Sequence, residues 1–151
     1  MKTDDLILVS VDDHVVEPPD MFDLHLPESF RRREDIPRVV RTDAGDDVWL
    51  YDGIQFPNIG LNAVAGRPRD EYGVDPTAFD EMRRGCWDVH ARIDDMDANG
   101  VLASLNFPSF PRLCGQVFAE ARDKDLALVC LKAYNDWHVH SWCGPYPDRF
   151  I

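Results

Sequence analysis

Apolar positions fall into two kinds of run along this chain. Leu6-Ile7-Leu8-Val9-Ser10-Val11 is nearly continuous and β-rich, the pattern of a first strand buried on both faces of a parallel sheet. Val101-Leu102-Ala103-Ser104-Leu105-Asn106-Phe107 repeats that pattern and is ended by Pro108. Between them, Val89, Ile93 and Met96 recur at helical spacing behind Asp88, a capping residue, and Asn99-Gly100 stops that helix. A longer helix is expected from a cap at Asp123 to about Trp142. Its inward stripe is Ala127, Cys130 or Leu131, Tyr134, and Trp137 or His138. Gly144-Pro145 closes it, and Arg149-Phe150-Ile151 reads as the start of a third strand.

Residues 18–85 break this rhythm. Pro18, Pro19, Pro27, Pro37, Pro57, Pro68 and Pro76 punctuate a stretch with little helical periodicity. Inside it, Arg38 to Thr42 and Val48 to Tyr51 flank the turn-rich Asp43-Ala44-Gly45-Asp46-Asp47, which predicts a hairpin. Asp52-Gly53 before Ile54-Gln55-Phe56 offers a second tight turn, hence a small antiparallel ribbon. Gly60 to Tyr72 reads as an irregular loop. The order is β, inserted ribbon, α, β, α and the beginning of β, and repeating βα units imply an α/β fold with a parallel sheet. Residues 1–151 are read as the front part of one larger domain.

The 151 residues, 44% hydrophobic and 29% charged, have a globular composition. A formal charge of -12 repels phosphate backbones and anionic lipid, which argues against nucleic-acid or membrane partners. No apolar run approaches the roughly 18 residues of a membrane span. Met1-Lys2-Thr3-Asp4-Asp5 lacks the basic start of a signal peptide, so a cytoplasmic location is expected. Cys86, Cys114, Cys130 and Cys143 form no C-x-x-C pair and read as reduced structural thiols.

The chemistry starts where the first apolar run meets Asp12-Asp13-His14 and then Val15-Val16-Glu17-Pro18-Pro19. A carboxylate and an imidazole at i and i+2 of a strand point to the same side and can reach one cation. Asp12 and His14 are therefore candidate ligands for a divalent metal, zinc or manganese. The plain alternative is a turn in which Asp13 bonds its own backbone. Two ligands bind weakly, and a catalytic zinc usually takes three from the protein. Glu17 either orients His14 or contacts substrate, or is a solvated residue before Pro18. Asn106, at the end of the second strand, is a candidate for lining the same mouth.

His138-Val139-His140 is not a second ligand pair, because helical residues two apart point about 200° away from each other. His25 is expected at the surface and His90 in the first turn of its helix. Arg67 and Arg69 could greet an acidic substrate or merely balance Asp70 and Glu71. Trp49, Trp87, Trp137 and Trp142 read as packing residues.

The string Val9-Ser10-Val11-Asp12-Asp13-His14-Val15-Val16-Glu17-Pro18-Pro19-Asp20-Met21-Phe22 closely resembles the opening of the amidohydrolase-related family, which includes metal-dependent decarboxylases of aminocarboxymuconate and hydroxybenzoate type. Asp88 to Val101, Leu105-Asn106-Phe107-Pro108, Ala133 to Trp137 and Cys143 to Phe150 resemble it too, in the family's order. The resemblance implies a distorted (β/α)8 (TIM) barrel, of which this chain holds the first two βα units and the start of the third strand. It also implies one catalytic divalent metal, with Asp12 and His14 as the first-strand ligand pair. Many relatives have His-x-His here, and Asp-x-His is similar to the acidic-x-His form of the decarboxylase-like members. The family's later ligands, a histidine from a middle strand and an aspartate from the last, have no counterpart in the sequence.

The expectation is a hydrolase or nonoxidative carboxy-lyase acting on a small carboxylated or cyclic substrate, incomplete in this chain and prone to homo-oligomer formation through open sheet edges. The alternative is an inactive, truncated or self-associating piece. A weaker reading is a binding module that uses its ribbon.

Overall fold

The computed structural model describes residues 6–57, 59–60, 63–73 and 77–151. The reading of Met1 to Asp5, the proline at 76 and positions 61 and 62 of the long loop lie outside the described residues.

Among the described residues five strands and five α-helices follow one another in a mixed α/β arrangement. The chain opens with β1 (Leu8–Val15), followed by the short helices α1 (Met21–His25) and α2 (Glu28–Arg31). The ribbon comes next: β2 (Arg38–Arg41), β3 (Asp47–Tyr51) and β4 (Ile54–Phe56), in antiparallel order β2-β3-β4. Its second turn uses Asp52 and Gly53, both at positive φ (53° and 77°), the twist a two-residue hairpin requires. Helix α3 (Val89–Ala98), β5 (Val101–Pro108), α4 (Gln116–Glu120) and α5 (Lys124–Trp137) complete the chain.

β1 and β5 pair in parallel, and Phe150, in the segment expected to begin a third strand, makes only an isolated parallel bridge to Ser104. Among the described residues no closed barrel forms. The pairing is irregular where it matters. Ser10 faces Ser104 and Asp13 faces Asn106, so Val11 and Asp12 oppose Leu105 alone and bulge the strand.

Two expectations about β1 need correction. The strand does not end at Val11 but runs through the Asp12-Asp13-His14 motif to Val15. Nor is it buried on both faces, since Leu8, Val9 and Val11 are 53%, 39% and 66% exposed. Its apolar run needs neighbours that β5 alone does not provide.

The core lies on the other side, and residues 18–85 help to build it. Met21 and Phe22 of α1, Leu26, Ile36, and Trp49 and Tyr51 of β3 are all buried. They meet Phe110 beyond β5 and Phe118 of α4: the Trp49 and Phe110 rings stack at 4.6 Å, and Phe22 stands edge-on to Trp49 at 5.7 Å. The segment is thus part of the packing interface rather than a decoration.

Both predicted caps form. Asp88 accepts from the His90 and Ala91 amides at 2.9 and 3.0 Å, and Gly100 takes the left-handed φ of 68° after α3. Asp123 accepts from Asp125 and Leu126. Helix α5 ends at Trp137, not Trp142, and one turn of π-helix, His138–Cys143, follows it. Its buried stripe is Leu126, Ala127, Cys130, Ala133, Tyr134 and Trp137, which selects Cys130 over Leu131.

Candidate functional site

The carboxyl ends of β1 and β5 point the same way, so the residues leaving both strands share one mouth. A cavity of about 410 Å³ opens there, bordered by Asp12 and His14 of β1, Phe107 and Pro108 of β5, and Ser109, Arg112, Leu113 and Cys114 of the loop beyond. Asp12 and His14 thus reach one space. Both are exposed at the protein surface, and the His14 ring lies 6.0 Å from that of Phe107.

Asp13 turns elsewhere, as strand alternation requires. Its carboxylate accepts from the Ser104 hydroxyl, which accepts at 2.9 Å from the Asn106 amide, whose oxygen accepts at 2.8 Å from the Trp142 indole. Ser104 and Asn106 are buried. This satisfied chain pins the β1–β5 seam beneath the cavity. Asn106 belongs to it and does not border the Asp12–His14 cavity.

Arg92 fixes the backbone at the motif from the other side. It donates to the Gly85 carbonyl at 2.5 Å and the His14 carbonyl at 2.9 Å, while its guanidinium lies 5.6 Å from the centre of the Trp142 ring system. Burial lowers its pKa. A second cavity, of about 440 Å³, adjoins this face and is bordered by Asp13, His14, Cys86, Arg92 and Asp95, so His14 stands between the two spaces.

Glu17 is fully buried. Its two oxygens accept from the backbone N–H groups of Ser109 at 3.0 Å and Phe110 at 2.9 Å, and the Ser109 hydroxyl donates to the Val15 carbonyl at 2.8 Å. Desolvation pushes its pKa up to about 7 against the lowering effect of those N–H donors. Glu17 therefore clamps the loop that carries the cavity wall to the end of β1.

The remaining sequence candidates separate clearly. His90 sits in the first turn of α3 with Nδ1 2.9 Å from the Tyr146 hydroxyl. His25 is half-buried, 3.3 Å from the Ser141 hydroxyl, and burial lowers its pKa; burial does the same to His138. Arg67 donates to the Glu81 carbonyl, and neither Arg67 nor Arg69 borders the Asp12–His14 cavity. Trp49, Trp137 and Trp142 are buried packing residues.

Arg112 and Cys114 were not singled out in the sequence, yet both border the cavity at positive φ (58° and 56°). Their one sequence signal is position, just beyond the carboxyl end of a strand.

The donor chemistry of Asp12 and His14 suits a divalent cation. Among the described residues, however, no group of three or more His, Cys, Asp or Glu side chains could hold one. The chain supplies a partial ligand set.

No protein-family model and no curated protein sequence matches the chain. In its fold it is similar to an amidohydrolase from Mycobacterium avium subsp. paratuberculosis, with a TM-score of 0.61 at 19% identity. The match covers 97% of this chain and 42% of that one. The chain therefore has an amidohydrolase-like fold and spans less than half the length of that neighbour. No helix among the described residues is long and apolar enough to cross a membrane.

Proposed function

We propose that this chain carries the first-strand part of the metal site of an amidohydrolase-type enzyme, with Asp12 and His14 as two of the ligands of one divalent cation, zinc or manganese. The observation that carries this reading is that both side chains border one cavity at the carboxyl ends of parallel strands, in a chain of amidohydrolase-like fold. Such a cation, when bound, acidifies a water or polarises a substrate oxygen. The chain's own residues hold the site in shape: Arg92 fixes the His14 carbonyl, Asp13 locks the seam to Ser104, and Glu17 ties the cavity wall to β1.

In this reading β1, α3, β5 and α5 are the first two βα units of a (β/α)8 barrel, and later strands add the remaining ligands. The reaction is hydrolysis or nonoxidative decarboxylation of a small carboxylated or cyclic substrate. Glu17 supports the site without touching substrate, and Asn106 acts through the Ser104–Asp13 chain. A second reading, a piece without catalysis of its own, is favoured by the two-donor ligand set.

Zinc titration of the 151-residue chain, followed by calorimetry, separates these readings from no metal site at all. Weak saturable binding, abolished by Asp12→Asn and by His14→Ala, is the expected outcome. Unchanged zinc uptake by the double variant overturns the assignment. A hydrolase or carboxy-lyase assay on the zinc-loaded chain then distinguishes an enzyme from an inactive piece.

A further inference from the structure

Arg112 follows β5 by four residues and borders the Asp12–His14 cavity. It also borders an adjoining space of about 280 Å³ walled by Trp49, Phe56, Ile59 and Phe110, and so stands where the two spaces meet. In a chain with 28 acidic and 16 basic residues, a cation finds an anion easily. Arg32, Arg33, Arg41, Arg83, Arg84, Arg122 and Arg149 each do so. Arg31, Arg38, Arg67 and Arg92 donate to backbone carbonyls. Among the described residues the guanidinium groups of Arg69 and Arg112 have neither an ion pair nor a hydrogen bond, and of these two Arg112 borders the cavity. It lies over the Phe56 ring at 5.6 Å, delivered there by the ribbon.

The backbone makes the same point. Arg112 has φ 58° and ψ -173°, a conformation reserved almost wholly for glycine. A strained non-glycine residue with an unpaired cation at a cavity rim is kept at the expense of local stability, and strain of this kind clusters at ligand sites. The cavity's lining includes the apolar Phe107, Pro108 and Leu113, and about 410 Å³ is ample for a single-ring ligand.

We propose that Arg112 is the anion-binding residue of this cavity, and that the ligand it orients carries a carboxylate on a flat apolar body laid between Arg112 and the Asp12–His14 end. The inference rests on reading the cavity as a substrate site, but not on a bound metal. An arginine fork pairs with a carboxylate through two parallel N–H···O bonds, while the Phe56 face holds the guanidinium in place.

Benzoate is the probe, with benzyl alcohol as its neutral counterpart, titrated into the whole chain by ligand-observed NMR. Saturable benzoate binding is expected, about tenfold or more tighter than benzyl alcohol and weakened by about the same factor in Arg112→Gln, the loss of a charge-assisted bond. Arg112→Gly is the second variant: it should raise the melting temperature by relieving the backbone while abolishing benzoate binding. The titration is run with a chelator present, and benzoate binding should persist there, so failure of the metal reading leaves this one standing. Equal affinity for benzoate and benzyl alcohol, no benzoate binding by the unmodified chain, or benzoate binding unchanged in Arg112→Gln overturns the proposal.

Discussion

Glu17 shows how far a residue's role can lie from its sequence neighbourhood. Its carboxylate is fully buried, and desolvation raises its pKa to about 7, above the ordinary value of 4.5. The folded chain therefore binds a proton there more tightly than the unfolded chain does. Stability linked to Glu17 is greatest below the unfolded value and falls as pH rises through the folded one. Between pH 4.5 and about 7 the loss amounts to about 3 kcal/mol. Glu17→Gln removes this dependence, so the variant should gain on the parent as pH rises from 5 to 8 in urea denaturation; a constant difference across that range would refute the assignment. The sequence could not reveal this role, because the N–H donors of Ser109 and Phe110 lie 92 and 93 positions away. That Asp12 and His14 border one space was legible because strand alternation alone aligns i and i+2. Arg112 was not, because nothing in the letters marks an arginine held in a glycine conformation.

At the scale of elements, what was readable was local. Asp88 before Val89, Ile93 and Met96 carries both the cap and the buried stripe of α3. Asp88→Ala removes the oxygen that accepts from two backbone N–H groups and the Arg84 pair, so it should cost about 1 kcal/mol and lower the melting temperature by about 3 °C. Asp94→Ala, on the exposed face of the same helix, should leave it nearly unchanged. The end of α5 was not readable by the same means. Trp137 and Trp142 are five apart, which an α-helix would set about 140° from each other. The π-turn brings the rings to 6.0 Å and lets Trp142 reach Asn106. Gly144 follows from that turn, since a Cβ there would stand 2.5 Å from the His140 carbonyl oxygen. Gly144→Ala should therefore destabilise the protein despite the alanine's better helix propensity, and thermal melting checks the sign. The ribbon's turns were likewise local, whereas the burial of Trp49 against Phe110 depends on contacts 61 positions apart and left no trace in the pattern.

At the scale of the whole molecule, the βα order was legible but the fate of its apolar surface was not. A run such as Leu6 to Val11 promises burial without naming what covers it. Here Leu6 and Ile7, just before β1, and Leu8, Val9 and Val11 within it remain exposed, and the strand's described pairing is with β5 alone. Two forces then oppose each other. The open edge and apolar side chains favour association with another copy, while a formal charge of -12 repels it over a distance set by salt. Salt weakens only the repulsion. The chain should therefore be most monomeric at low ionic strength and associate as salt is raised toward 1 M, the reverse of an assembly held by ion pairs. Val11→Lys, which places a cation at the carboxyl end of the exposed run, should keep the monomer at high salt without changing the melting temperature by more than about 2 °C, because the side chain is already outside the core. Sedimentation velocity at two salt concentrations reads both effects. A monomer at both salt levels would mean that the exposed face of β1 is too small or too well hydrated to drive contact. Dissociation on adding salt would place the contact in charged surface instead.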